Sequence, residues 1–147
     1  LAEIKRLMGQ KGVLFIAVPN FGSAQRRVFG KNWFHLDLPR HLFHFDVDSL
    51  CGRLEKQGFE VRSITTFSLD QNLFGFLQSA LNCIPGVANN HFYRLLQADL
   101  TFRSACIMFL YAPLLLLLFP FAIIELVVSY FLQTGASLIV RVSKDDR

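Results

Sequence analysis

Lys11-Gly12-Val13-Leu14-Phe15-Ile16-Ala17-Val18-Pro19-Asn20 is the stretch that sets the fold class. The run from Val13 to Val18 is apolar without alternation, the pattern of a strand covered on both faces as in a parallel sheet. Ahead of it, Leu1, Ile4, Leu7 and Met8 recur at helical spacing until Gly9 and Gly12 stop the helix; behind it, Pro19 and Asn20 end the strand. Ser23 is placed to cap a short helix that Gly30 closes. A loop rich in aromatics and histidine follows, Trp33 to Phe45. Asp46 then caps a helix in which Val47, Leu50, Cys51 and Leu54 form an apolar stripe, Gly58 supplies its stop, and Phe59 to Thr65 reads as the next strand. Strand, helix, helix, strand is the order of an α/β fold. Near the other end Leu138, Val140 and Val142 alternate with Ile139 and Arg141, a strand with one face more polar than the other.

The chain of 147 residues has the length of one ordinary domain, yet it is 52% hydrophobic, high for a water-soluble one. The excess lies after Thr101, where Ala105 to Leu132 contains a single charged residue, Glu125. As a straight helix that segment is about 42 Å long, more than a hydrocarbon core of about 30 Å requires. Phe74, Leu77 and Leu81, at i, i+3 and i+7, predict an amphipathic helix over Leu73 to Ile84 leading into it, and His91, Tyr93 and Arg94 form a polar-aromatic stretch suited to a membrane interface. Arg94 and Arg103 before the segment and Arg141 and Lys144 after it predict that both flanks are cytoplasmic. Pro113 and Pro120 offer bends, and Glu125 is costly at the centre of a span, so a re-entrant or in-plane helical hairpin is expected in place of a single crossing.

Cys51, Cys83 and Cys106 are odd in number and far apart, which argues against a disulfide framework or a zinc cluster and for a reducing compartment. The net charge of +4 is dispersed, so no nucleic-acid footprint is expected. The amino terminus shows no signal peptide; it opens without Met inside an apparent helix and reads as a fragment.

The segment Lys11 to Asn20 resembles the fifth strand of class I S-adenosylmethionine-dependent methyltransferases. It is joined in order by Phe29-Gly30, Trp33, Leu36-Asp37, Pro39-Arg40-His41-Leu42, His44-Phe45, Leu50 and Leu54 to Val61. That series resembles a bacterial subfamily with a P-R-H-L-x-H-F motif and a GF-x-V sixth strand. The resemblance covers most of Leu1 to Ser68 and resumes at Gly135 to Lys144, similar to the seventh strand. It implies the carboxy-terminal portion of a Rossmann-like sheet, in which the sixth and seventh strands are antiparallel edge neighbours, with an apolar helical insert between these last two strands. The domain layout implied is a partial methyltransferase domain at 1–68, a helical insert at 69–134 that is membrane-associated around 105–132, and the final strand and tail at 135–147. The family's glycine-rich loop and acidic residue, which hold S-adenosylmethionine, have no counterpart here, so no cofactor-binding residue is assigned.

Methyl transfer is an in-line displacement, in which a protein aligns the acceptor and, for a hydroxyl, removes its proton. His41 and His44, in the loop that the resemblance places at the carboxyl edge of the fifth strand, are the candidate bases. Arg40 is suited to an anionic acceptor group, and Asn20 and Trp33 to lining its pocket. The competing structural roles are imidazoles bonded to backbone carbonyls, a turn at Pro19-Asn20 and aromatic packing at Trp33. A metal site from His35, Asp37, His41 and His44 has only generic spacing, and no metal is assigned. Two functions follow as expectations: a methyltransferase fragment, inactive alone, whose parent acts on a small-molecule or lipid-linked acceptor at the cytoplasmic side of the bilayer, or a non-catalytic membrane-attached binding or scaffolding module. Calorimetric titration of Leu1–Arg147 with S-adenosylmethionine is expected to show no binding; a micromolar Kd would overturn the assignment of the cofactor loops to another segment.

Overall fold

The computed structural model describes residues 1–9, 11–86, 90–97 and 101–144. In chain order these form α1 (Ala2–Leu7), β1 (Val13–Pro19), α2 (Ala24–Phe29), α3 (Val47–Glu55), β2 (Phe59–Thr65), α4 (Leu69–Asn82), α5 (His91–Gln97), α6 (Phe102–Leu132) and β3 (Ser137–Lys144). Short 3-10 turns occupy Gly30–Asn32 and Phe34–Leu36. The protein is thus a mixed α/β chain with a three-stranded sheet and one long apolar helix between its last two strands.

The sheet order is β1-β3-β2, and β3 runs antiparallel to both neighbours. β1 and β2 are therefore parallel to each other with the last strand threaded between them. Leu138, Val140 and Val142 on β3 are fully buried and join Leu50 and Leu54 of α3 and Phe59 of β2 in one core. Each such side chain contributes about 1.5–3 kcal/mol by leaving water. Asp46 caps α3 through a reciprocal box, its carboxylate accepting from Ser49 N at 2.9 Å while Ser49 Oγ accepts from Asp46 N at 3.0 Å.

The expectation that β1 is covered on both faces is corrected. Its residues alternate, with Val13 and Phe15 44% and 66% exposed and Leu14, Ile16 and Val18 turned toward the core. Leu14, Ile16 and Val18 pack against the core that α3 completes, while on the other face the Phe15 ring meets the Arg141 guanidinium at 5.9 Å.

The insert also differs from expectation. α6 runs unbroken through Pro113 and Pro120 for 31 residues, so no hairpin is folded within it. The return path is made elsewhere: α4 leaves the sheet, α5 continues it, and α6 comes back along both. Asn72 near the start of α4 donates to Ser129 Oγ near the end of α6 at 3.0 Å, and His91 at the start of α5 meets Tyr111 at 2.8 Å. Because α4 and α5 make the reversal, α6 has no need to bend at its prolines. The first leg begins at Leu69, earlier than the expected Leu73, and ends at Asn82.

The α4 helix buries many of its polar residues. Asn72, Gly75, Gln78, Ser79 and Asn82 are buried together with Leu81 of the expected apolar stripe, whereas Leu69 is 55% exposed. The buried amides satisfy one another: Gln78 Nε2 donates to Asn82 Oδ1, Asn82 Nδ2 donates to Asn32 O and to Asn90 Oδ1, and Gln78 Oε1 accepts from Tyr93 N, all at 2.8–3.0 Å. Along α6 a half-buried or buried stripe at Tyr111, Leu115, Leu118, Ala122, Leu126 and Ser129 faces this helix, and most of the rest of its girth is exposed and apolar.

Where the insert rejoins the sheet, a Cβ on Gly135 would lie 2.1 Å from the carbonyl oxygen of Thr66, which is backbone and cannot give way. Gly52, in the middle of α3, has open space around it. Gly135→Ala is therefore expected to destabilise the chain by about 1–3 kcal/mol and Gly52→Ala to stabilise it by about 0.5–1 kcal/mol. Thermal denaturation by circular dichroism in detergent checks both, and equal melting temperatures for the two variants would contradict this packing.

Candidate functional site

The carboxyl end of β1 opens into a cleft of about 310 Å³ lined by Ala17, Val18, Pro19, Ser137 and Ile139 from the sheet, His35 and His41 from the 33–45 loop, and Ser68, Asp70 and Gln71 from the start of α4. Ligands of open α/β sheets bind at this edge. His41 is the expected base that faces the cleft. Its side chain is 43% exposed, and its Nδ1 lies 4.0 Å from Asp37 Oδ2, too far for a hydrogen bond, with no other hydrogen-bond partner among the described residues. Asp70 contributes a carboxylate held below the usual range by the Ser68 hydroxyl, which donates at 2.6 Å, and by the Gln71 amide at 2.9 Å. An imidazole and an ionised carboxylate thus share one opening, a pairing suited to moving a proton.

His44 is used differently. A carbonyl oxygen only accepts, so His44 Nε2 carries the proton it donates to Leu36 O at 3.1 Å, and the ring packs 5.3 Å from Phe21. This is the structural role open to it in the sequence. Asn20 has the same fate: it is 3% exposed, donates from Nδ2 to Gly135 O at 2.8 Å and accepts from Gly22 N at 3.0 Å, joining the end of β1 to the segment entering β3. Trp33, 2% exposed, packs edge-on against His35 and Phe21. It and Arg40 line a second cleft, between the 31–40 loop and the α4–α5 corner. The five expected residues therefore do not converge: His41 serves one cleft, Trp33 and Arg40 another, and Asn20 and His44 hold the frame.

The sequence reading overlooked His35 as a positioning group and missed Ser68 and Asp70. His35 is 6% exposed, and its Nε2 donates to Gln71 O at 3.2 Å, tying the loop to α4. A Cβ on Gly75 would come within 2.5 Å of that nitrogen, so only glycine admits the ring. The signal was present as Asn72, Gly75, Ser79 and Asn82 at i, i+3, i+7 and i+10, a small and polar stripe that fits a helix face pressed against a polar surface. Across α4, Gln25 donates from Nε2 to Asn72 O at 2.8 Å and to Glu125 Oε2 at 2.9 Å. Among the described residues no group of three or more His, Cys, Asp or Glu is placed to hold a metal ion, and His35, Asp37, His41 and His44 do not assemble.

Compared with protein-family models, curated proteins and solved structures, the chain has no match in any of the three.

Burial pushes the His35 imidazole below its ordinary pKa; the Gln71 carbonyl, Asp37 and Asp70 oppose this, and His41 reinforces it. A folded-state value depressed below the unfolded one of about 6.5 means the unfolded chain binds more protons, so stability is full above that pH and falls as pH drops through the folded value. Melting temperature is expected to decline on acidification from pH 7, with His35→Gln flattening the decline. An unaltered slope in that variant would rule out His35 as the group responsible.

Proposed function

We propose that this chain is the carboxy-terminal part of a class I S-adenosylmethionine-dependent methyltransferase acting on a membrane-associated or lipid-linked acceptor. The observation that supports it most is the sheet: β3 pairs antiparallel with β2, as the resemblance requires of the seventh and sixth strands, and the cleft with His41 sits at the carboxyl end of β1, the counterpart of the fifth. His41 is the proposed base that takes the acceptor's proton, with the Asp37 carboxylate 4.0 Å from its Nδ1 to favour the resulting imidazolium. S-adenosylmethionine supplies the methyl group and is held by residues outside this chain.

Helix α6 supports a membrane setting. It is long and apolar enough to cross, with only 6% of its most apolar window buried. Yet from Tyr111 to Ser129, about 27 Å, it lies against α4 and α5, and α4 also packs on α2 and the 3-10 turns, which carry Arg26, Arg27 and Lys31. A crossing would drag those charges into hydrocarbon at about 2.5–3.5 kcal/mol each. An in-plane helix buries its apolar face in one leaflet and leaves them in water. The chain is therefore read as attached to the cytoplasmic leaflet, with the acceptor drawn from that leaflet.

A second reading, a non-catalytic membrane-attached scaffolding module, is favoured by the structural use of His44 and Asn20. Upstream coding sequence separates the two. An acidic-x-G-x-G-x-G loop within about a hundred residues before Leu1 is expected for the enzyme, and an intact frame lacking it supports the scaffold. In the longer polypeptide His41→Ala should lower kcat by about 10²-fold or more with little change in melting temperature, whereas His44→Ala should act mainly on stability. Unchanged turnover with His41→Ala would remove the base assignment.

A further inference from the structure

The second cleft, about 630 Å³, is separate from the one at the end of β1. Among the described residues its wall carries Lys31 and Arg40 against one carboxylate, Asp37. Asp37 is already occupied: Arg40 approaches it at 3.7 Å and Asn90 Nδ2 at 3.5 Å, and the Arg40 side chain remains 66% exposed. Trp33 forms part of the lining while its buried indole N–H has no acceptor among the described residues, an arrangement that costs stability unless an acceptor is supplied. Cations in excess, a planar guanidinium and a donor lacking its partner describe a site for an anion with several oxygens, which is the chemistry of a phosphate.

The remaining lining is apolar. Leu36, Leu38 and Pro39 face the same space, Leu38 being 63% exposed, and Tyr93 enters it from α5, which packs on α6. We propose that this cleft binds the phosphate or diphosphate ester headgroup of a lipid, its acyl or prenyl arm running along the apolar surface that α5 and α6 present. The lipid source rests on the in-plane placement of α6 argued above; the phosphate chemistry rests on the cleft alone.

Trp33 is the single tryptophan and lines this cleft, so its emission reports on it. The full 147-residue chain in detergent is titrated with three probes: dihexanoyl phosphatidic acid, dihexanoyl phosphatidylcholine and inorganic pyrophosphate. Phosphatidic acid is expected to change the emission saturably, phosphatidylcholine not at all, and pyrophosphate only at higher concentration. Lys31→Gln with Arg40→Gln should weaken phosphatidic acid binding by about tenfold or more. Arg53→Gln with Lys56→Gln, which removes the same charge from α3 and the residue after it, should leave it unchanged. Equal responses to the two lipids, or equal losses in the two double variants, would overturn the site. Pyrophosphate binding as tight as phosphatidic acid would overturn the lipid source. No methyl transfer enters this readout, so its failure and that of the methyltransferase reading are distinct.

Discussion

The pairing of Thr65 with Ile139 constrains everything between them. β2 ends where β3 begins, and the two strands are hydrogen-bonded neighbours, so the chain that leaves the sheet after Thr65 must return to within one strand spacing of its exit. An excursion that closes on itself can be a pair of antiparallel helices, and α4–α5 with α6 is such a pair. The closure is sealed at the sheet end by Asn72, which donates to Ser129 while its Oδ1 accepts from Ala136 N at 3.3 Å, and by Asn20, which binds Gly135. One amide thus touches both legs of the insert and the strand into which they feed.

The polar seam explains how so apolar a helix coexists with an α/β body. In water, α6 would be expected to bury its large side chains and show its polar ones; here Phe109, Leu110, Leu116, Leu117 and Phe131 are outward, and Ser129 is inward with Asn72 and Gln78 of α4. A buried amide is tolerated when it is hydrogen-bonded, and a large exposed apolar surface when something apolar covers it. The amide network meets the first condition along one side of the helix, and the other side is the exposed apolar surface that makes α6 long and apolar enough to cross or anchor in a membrane. Glu125 belongs to the inner side, where Gln25 reaches it from α2, so the one acidic residue of the segment is turned from the apolar surface.

The strands were legible because their signals are local. An unbroken apolar run, an alternating run and Asp46 with Ser49 three residues on each specify an element without reference to the rest of the chain. The coverage of β1 was not legible, since an apolar run is the same whether or not a second layer lies over it. The course of the insert was misread for a related reason: Pro113 and Pro120 signal a bend when a helix is considered alone, but the reversal depends on which partner helix is available, and α4 carries buried Asn, Gln and Ser beside the apolar Leu81. The candidate site was legible as a region and not as a set of roles. The P-R-H-L-x-H-F segment does line both clefts, but which imidazole meets a backbone carbonyl is decided by a 3-10 turn at Phe34–Leu36 that places Leu36 O beside His44.

The central claim is that α6 lies along one leaflet with both of its ends on the same side. Thr101→Cys and Gln133→Cys, placed singly in a chain lacking Cys51, Cys83 and Cys106, put a thiol just before and just after the helix. Labelling with a membrane-impermeant maleimide in intact cells and in inverted membrane vesicles reads the side of each. Both thiols should resist labelling in cells and react in inverted vesicles; reaction of the two from opposite sides would mean that α6 crosses the bilayer, contradicting both the in-plane placement and the packing of α4 against it.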